Sequence, residues 1–480
     1  MHFLSKSDNV TVNIKKIYSA GAQDAAGRAE GECVMTLAAH VTNYIMIGIL
    51  IVCFANQVIY FFVPYFKKEK EHSPGREHSF AVLVAARNEQ NVIGQLIESI
   101  QLQDYPGDMV DIYVVADNCD DDTAKEAAKK GAFVYERFNR QEVGKGYALN
   151  FLLEHMKKDG RWERYDGFFV FDADNLLDKN YIKEMNRTFC DGYRVITSYR
   201  NTKNFGTNWL TSGYGLWFMH EAQWLNRARM LLHTSCAVSG TGFFFSREIL
   251  EELGGWKFFL LTEDIEFTIY QMLKGERIGY CKDAVFYDEQ PDKFIPSWNQ
   301  RARWVKGYQQ VFRAYGGQIA KAIFKKRNFS CFDMTMSIWP AFFLTAFSLV
   351  TDAVLIIAGL ALDRDIDFVL YNTVMNVVRT YIMAALLGLY TLITEWKNIH
   401  AGTGKKLLSI VTFPIFMFTF IPIAFVALVK KVEWKPIEHH CAVHVDHFRE
   451  TPEESGKTRI RSPKGTIRRE RAYENFTGRR

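Results

Sequence analysis

No C-x-x-C pair occurs in this chain. Its eight cysteines, from Cys33 to Cys441, lack the spacing of a zinc site or a disulfide framework. Those in the middle of the chain read as reduced thiols, and Cys119 as a small packing residue. Walker-type and G-x-G-x-x-G loops are missing as well, so nucleotide-hydrolase and dehydrogenase readings lose support. Residues 1–36 hold no long apolar run and no cleavage pattern, which excludes a signal peptide. They are expected to be a disordered arm, or, because Met35 directly precedes the first apolar stretch, the product of an over-extended start. Most of the chain also lacks net charge: residues 451–480 carry nine Lys or Arg against four Glu, which accounts for the whole formal charge of +5. A nucleic-acid binder carries its positive charge over a folded face. Here it sits in a polar tail, 431–480, expected to be largely disordered near anionic lipid, and no nucleic-acid partner is expected.

The apolar residues that are present are unevenly placed. Residues 37–66 form a candidate transmembrane helix, long enough for a hydrocarbon core of roughly 30 Å. Lys67, Lys68, Lys70 and Arg76 follow it, so the positive-inside rule puts its C-terminal end in the cytosol. Three further apolar stretches, at about 336–361, 367–394 and 407–429, make a membrane region over 333–430, the last interrupted by Pro414 and Pro422. If all three crossed, the basic tail would lie outside, against Lys430 and Lys431; one stretch is therefore expected to be re-entrant or interfacial, with the tail cytosolic.

Between these regions, residues 79–317 read as a soluble α/β domain with a mostly parallel, Rossmann-like sheet. Strands are expected over Phe80–Ala85, Asp111–Ala116 and Gly167–Phe171, with helices over Val92–Leu102 and Thr123–Lys130. Polar residues cluster at the strand ends: Arg87-Asn88-Glu89 after the first, Asp117-Asn118 after the second, Asp172-Ala173-Asp174 after the third. Successive parallel-strand ends line a common crevice, where nucleotides bind. Carboxylates two residues apart suit Mg²⁺ or Mn²⁺ bridged to a diphosphate, although a solvated turn reads the same alone. Asp117 offers an acceptor for a uracil imide. Gly144-Lys145-Gly146 and Ser239-Gly240-Thr241-Gly242 permit close backbone approach to a ligand. Thr262 is placed to cap a helix beginning at Glu263-Asp264, which would set Asp264 near a positive helix end as a general base. Gln300, Arg303 and Trp304 share one helical face, the arginine suited to a leaving diphosphate and the indole to a sugar ring.

In this order the motifs resemble the family 2 glycosyltransferases of the GT-A fold, over roughly residues 80–317. With flanking spans, the chain is most similar to membrane members such as the poly-N-acetylglucosamine and chitin-oligosaccharide synthases, and also resembles hyaluronan and cellulose synthases. The resemblance implies Glu89 and Asp117 near the nucleoside and Lys145 near the diphosphate. It implies Asp172 and Asp174 as the metal and nucleotide-sugar motif, Asp264 as base, and Gln300, Arg303 and Trp304 as the element holding diphosphate and acceptor, with Glu263 on the acceptor side. The implied reaction is inverting and metal-dependent. It moves a hexosyl or N-acetylhexosaminyl group from a UDP-sugar to a growing β-linked polysaccharide, with export as a coupled step, at the cytosolic face of the plasma membrane in a multi-pass protein. The alternative is single addition to a lipid acceptor. One departure is Ala116-Asp117, a single acid where many relatives have two. A non-catalytic transporter would need polar residues in its spans, and Asp352, Asn372, Asn376 and Arg379 are few. A degenerate scaffold is disfavoured because every acidic motif residue is intact.

Overall fold

The computed structural model describes residues 37, 40–70, 72, 75–338, 340–361, 366–432, 436–437, 439–441 and 443–448. The arm expected over 1–36 and the basic run of 451–480 lie outside the described residues.

Apolar α1 (His40–Phe66) precedes the domain. The domain runs β1 (Phe80–Ala86), α2 (Ile93–Gln101), β2 (Val110–Asp117), α3 (Thr123–Lys129), β3 (Phe133–Arg137), α4 (Lys145–Lys158), β4 (Gly167–Asp172), β5 (Leu176–Leu177) and α5 (Tyr181–Cys190). It continues with β6 (Val195–Thr202), α6 (Trp209–His220), α7 (Arg227–Leu231), β7 (Phe243–Ser246), α8 (Arg247–Leu253), α9 (Glu263–Lys274) and β8 (Gly279–Asp288). The long α10 (Phe294–Phe324) leads into α11 (Phe329–Ile338), α12 (Pro340–Ala361), α13 (Asp367–Thr394), α14 (Thr403–Phe418) and α15 (Phe420–Val429).

The eight strands form one sheet in the order β3-β2-β1-β4-β7-β6-β8-β5. The three expected strands, β2, β1 and β4, are neighbours in it, and β1 pairs in parallel with the other two. β7 runs antiparallel to both β4 and β6, so the sheet is mixed beyond its parallel core. β1 is apolar along its length because both faces are covered. Phe80, Val82 and Val84 pack with Leu96 and Ile97 of α2 on one face. Ala81 and Leu83 pack with Leu149 and Leu152 of α4 on the other, as strand alternation requires.

Three helices are long and apolar enough to cross a membrane, among the described residues: His40–Phe66, Val369–Thr394 and Thr403–Val429. The last lies along the domain. Near its start, Lys405 packs at Gly206. At its middle, Arg301 donates to the Phe416 carbonyl (3.3 Å) and the Thr419 hydroxyl (2.5 Å). Towards its end, Lys306 donates to the Ala427 carbonyl at 3.0 Å. A helix of that length spans about 40 Å. α14 and α15 are separated only by Thr419, whose backbone stays helical (φ −64°, ψ −18°), so the segment runs on as one interrupted helix after Pro414. Arg301 is fully buried, its guanidinium 4.6 Å from the Phe416 ring and 4.9 Å from the Phe420 ring. α1 is fixed to the same assembly where Tyr60 and Val63 meet Leu225 and Ala228, and where Asn56 donates to Asp333.

Candidate active site

At the carboxyl ends of β2 and β3, Asp117 and Arg137 are register partners. Their side chains form a buried ion pair at 2.7 Å, and Asn118 donates to the same Asp117 oxygen at 3.0 Å. The acceptor expected to face a nucleobase therefore has one oxygen committed to its own sheet. Glu89 follows β1, its amide donating to Thr123 Oγ1 at 2.8 Å. Burial pushes its carboxyl up to about 7, with Asp174 and Asp172 adding repulsion, while His439 opposes the shift.

The Asp172-Ala173-Asp174 pair divides its work. Asp172 takes Lys145 Nζ at 2.5 Å, and the same ammonium donates to the Gly240 carbonyl at 2.8 Å, drawing the start of α4 to the Ser239–Gly242 segment. The Asp172 amide donates to Thr241 Oγ1 (2.9 Å), whose hydroxyl donates to Asn175. Asp174 is buried and accepts the Glu289 amide at 2.7 Å. Burial alone would raise its pKa, but His439, Lys203 and that N–H outweigh it and hold the carboxylate ionised. Behind it Arg200 pairs with Asp288, Nε to Oδ2 at 2.6 Å.

Glu263 and Asp264 open α9, and Asp264 lies close to Gly240. Burial raises both carboxyls, Glu263 to about 7 with further repulsion from Asp264; Lys145 and Arg303 oppose both shifts. Thr262 holds the N-cap position but its side chain caps nothing, and its buried hydroxyl has no hydrogen-bond partner. The capping expectation fails because the side chain is pressed against α10 at Gly307. Gln300, Arg303 and Trp304 lie on one continuous helix, with Arg303 donating to the Leu261 carbonyl at 2.8 Å beside the acidic turn. Trp304 meets Tyr214 and Phe218 edge-on at 5.9 and 6.1 Å, which ties it to the core. The glycine expectation is also revised: a Cβ at Gly146 would overlap the Phe258 carbonyl, so that close approach is to the protein's own backbone.

Sequence reasoning missed the C-terminal segment. His439 Nδ1 lies 2.9 Å from Glu89 Oε1, and the amides of His440 and Cys441 donate to the Glu289 carboxylate at 3.0 and 2.9 Å. Asp174, Glu89 and Glu289 together hold the His439 imidazole protonated despite its burial. The readable signal was a His-His pair just beyond the last apolar stretch, inside a region taken as tail.

Among the described residues no three His, Cys, Asp or Glu side chains are gathered to hold a metal. A magnesium-like ion needs fewer, since it binds through one or two carboxylates plus substrate phosphates and water. Asp174, buried and kept ionised, with the half-exposed Asp172 two residues away, fits that donor set. A divalent ion there would neutralise charge on a departing diphosphate.

The profile described as "Glycosyltransferase like family 2" matches residues 77–307. The probable glycosyltransferase YdaM of Bacillus subtilis is 28% identical over 283 residues, 55% of this chain and 63% of its own. The beta-monoglucosyldiacylglycerol synthase of Synechocystis is 27% identical, over 49% of this chain and 48% of its own. The poly-beta-1,6-N-acetyl-D-glucosamine synthase of Staphylococcus epidermidis is 24% identical, over 57% and 66%. The chain thus spans about half to two thirds of the length of these curated relatives. Among solved structures, a mannosyltransferase from Pyrobaculum calidifontis, in complex with GDP-Man and Mn²⁺, superimposes with a TM-score of 0.51 at 17% identity, covering 82% of this chain and 99% of that one, which shows a shared fold. Residues 77–307 are thus a family 2 glycosyltransferase domain on a GT-A fold.

Proposed function

We propose that this protein is an inverting, metal-dependent transferase that moves a hexosyl or N-acetylhexosaminyl group from a UDP-sugar to a growing β-linked glycan at the cytosolic membrane face. The observation that carries the reading is the convergence of Asp264, Lys145 and Arg303 around the Gly240 turn. In this reading Asp264 takes the proton from the acceptor hydroxyl as it attacks the anomeric carbon. Lys145, Arg303 and Gln300 stabilise the departing diphosphate, Glu89 and Asp117 face the nucleoside, and Asp172 and Asp174 hold Mg²⁺ or Mn²⁺. Glu263 and Trp304 meet the acceptor. Support for a nucleotide-sugar and Mn²⁺ comes from the GDP-Man and Mn²⁺ bound in the Pyrobaculum structure.

A second reading is single addition to a lipid acceptor. It is favoured by the similarity to beta-monoglucosyldiacylglycerol synthases and by the Thr403–Val429 segment, which lies against the domain and leaves fewer helices to wall a polymer path. The deciding experiment supplies the purified, membrane-reconstituted protein with a panel of UDP- and GDP-sugars and Mg²⁺ or Mn²⁺. Nucleotide release is measured and the product sized. A long glycan supports the first reading and a single-sugar lipid the second. No release from any donor, with no donor binding, would overturn both.

A further inference from the structure

Glu221 is a carboxyl that the proposed chemistry leaves unused. Helix α6 ends at His220, and one turn of π-helix, Glu221–Asn226, joins it to α7. A π turn is rare and recurs at functional sites. Here its two ends hold the segment that leads into the Ser239–Gly242 turn. Asn226 bonds both backbone groups of Ala237, its amide nitrogen donating to the carbonyl (3.3 Å) and its oxygen accepting the N–H (3.0 Å). At the other end the Ser239 hydroxyl meets Glu221 Oε2 at 3.5 Å. That is the outer limit of a hydrogen bond, so Ser239 does not satisfy the carboxyl.

Neither does a cation. Arg200 is spent on Asp288 and on the Ser239 carbonyl (3.2 Å), and Arg229 on Asp333; among the described residues none stands in ion-pair distance of Glu221. Burial raises the Glu221 carboxyl above its ordinary range; Arg200 and Arg229 oppose the shift, and Asp264 adds to it. The side chain is not sealed in, since it keeps partial exposure. With Arg200, Asn226, Ser239 and Thr241 it lines a cavity of about 10 Å³, room for about one water. A polar space of that size beside an acid without a partner suits a hydroxyl.

Glu221 and the proposed base border neighbouring residues of one turn. Glu221 stands at Ser239, and Asp264 Oδ2 lies 3.8 Å from the Cβ position of Gly240. Tyr308 of α10 is near both acids, whose charges add to burial in raising its hydroxyl. An acceptor hydroxyl held at Asp264 therefore has a second carboxyl one residue away along the turn.

We propose that Glu221 binds a second hydroxyl of the acceptor, next to the one that Asp264 deprotonates. The acceptor then carries two hydroxyls close together, as on a sugar ring or a glycerol end, and not a lone hydroxyl as in a diacylglycerol. The inference rests on the transfer reaction proposed above; Glu221 binds substrate and takes no part in the proton transfer.

The test uses the full chain in phosphatidylcholine nanodiscs, with the nucleotide-sugar that the donor panel selects. The acceptors compared are octyl β-glucoside, a monoacylglycerol with adjacent hydroxyls, and a diacylglycerol with a single one. The wild type should favour the first two over the third by about tenfold or more. Glu221→Ala should raise KM for octyl β-glucoside about tenfold or more, the scale of a hydrogen bond to a charged group, and leave donor KM and calorimetric nucleotide affinity within about twofold. Glu221→Gln keeps an oxygen that can accept the hydroxyl proton and should lose less. If Glu221→Ala does not fold, seen as lost nucleotide binding, the Glu221→Gln variant and the acceptor comparison carry the test. Equal transfer to the diacylglycerol and the glucoside, or donor cleavage with transfer to none of the three, overturns the acceptor class. An unchanged acceptor KM in both variants overturns the role of Glu221, as does a loss of kcat and nucleotide affinity that is the same for every acceptor. No nucleotide release by the wild type from any donor overturns the transferase reading itself, and this inference with it.

Discussion

Gly307 and Thr262 touch at a distance that no other residue at 307 would allow: a Cβ there would stand 2.5 Å from the Thr262 hydroxyl. This contact seats α10, with Gln300 and Arg303, on the turn that presents Glu263 and Asp264. The first prediction follows from it. Gly307→Ala should push the helix away and lower kcat about 10- to 100-fold, since a displacement near 1 Å can cost that much. Gly307→Ala combined with Thr262→Ala should recover part of the loss. Steady-state kinetics of the single and double variants decide, and an unimpaired single variant would show that the seating does not matter.

Asp264→Asn should reduce transfer by about 10²-fold or more, the scale of losing a general base. UDP binding should stay near wild type, because the amide keeps the shape of the carboxylate. Turnover measured beside calorimetric UDP binding separates the two effects. Turnover close to wild type would reject Asp264 as the base.

Asp174→Ala should weaken both nucleotide affinity and the response to added Mn²⁺. Its carboxylate is held ionised by His439, Lys203 and the Glu289 amide, so the loss removes a charge the surroundings are built around. Titrating Mn²⁺ against activity in wild type and variant checks this, and an identical metal response would reject the metal assignment.

Stability should depend on pH through Glu263. Burial first, then Asp264, raises its pKa from 4.5 to about 7. The native state therefore holds this proton more tightly than the unfolded chain does. The contribution is fully present below about pH 4.5 and is lost as pH rises towards 7. Glu263→Gln should remove this decline and raise Tm by a few degrees at pH 8 relative to wild type. Thermal unfolding of both proteins from pH 5 to pH 8 measures it, and parallel curves would contradict the assignment.

Arg229 and Asp333 form an ion pair at 2.6 Å with both side chains 1% exposed, and Asn56 of α1 joins it. Removing one partner strands the other charge, so Asp333→Ala should destabilise by about 3–5 kcal/mol. Arg229→Met with Asp333→Leu should recover most of that stability, because an apolar pair carries no such penalty. Denaturation in detergent ranks the three proteins.

How much of this was legible in the sequence differs by element. β1, β2 and β4 are continuous apolar runs bounded by polar turns, so their positions and their polar ends could be read locally. The antiparallel β7 could not, because pairing direction depends on how the chain returns rather than on composition. Asp117 was readable as a strand-end acid, but its bond to Arg137 depends on which strand lies alongside.

The sequence by itself determined the family, the order of its acidic and basic motifs, and the existence of the apolar helices, since each is a short-range pattern of residue types. Only the tertiary structure decided that Thr403–Val429 packs against the domain and that His439 reaches Glu89 across 350 positions. It also decided that Glu221 and Asp264 border neighbouring residues of one turn. These facts depend on which buried groups find partners once the chain is folded. Arg301 draws Thr419 to the domain, and the carboxylates of Glu89 and Glu289 draw His439 and His440. Such pairings join residues far apart in sequence, and local composition carries no record of them.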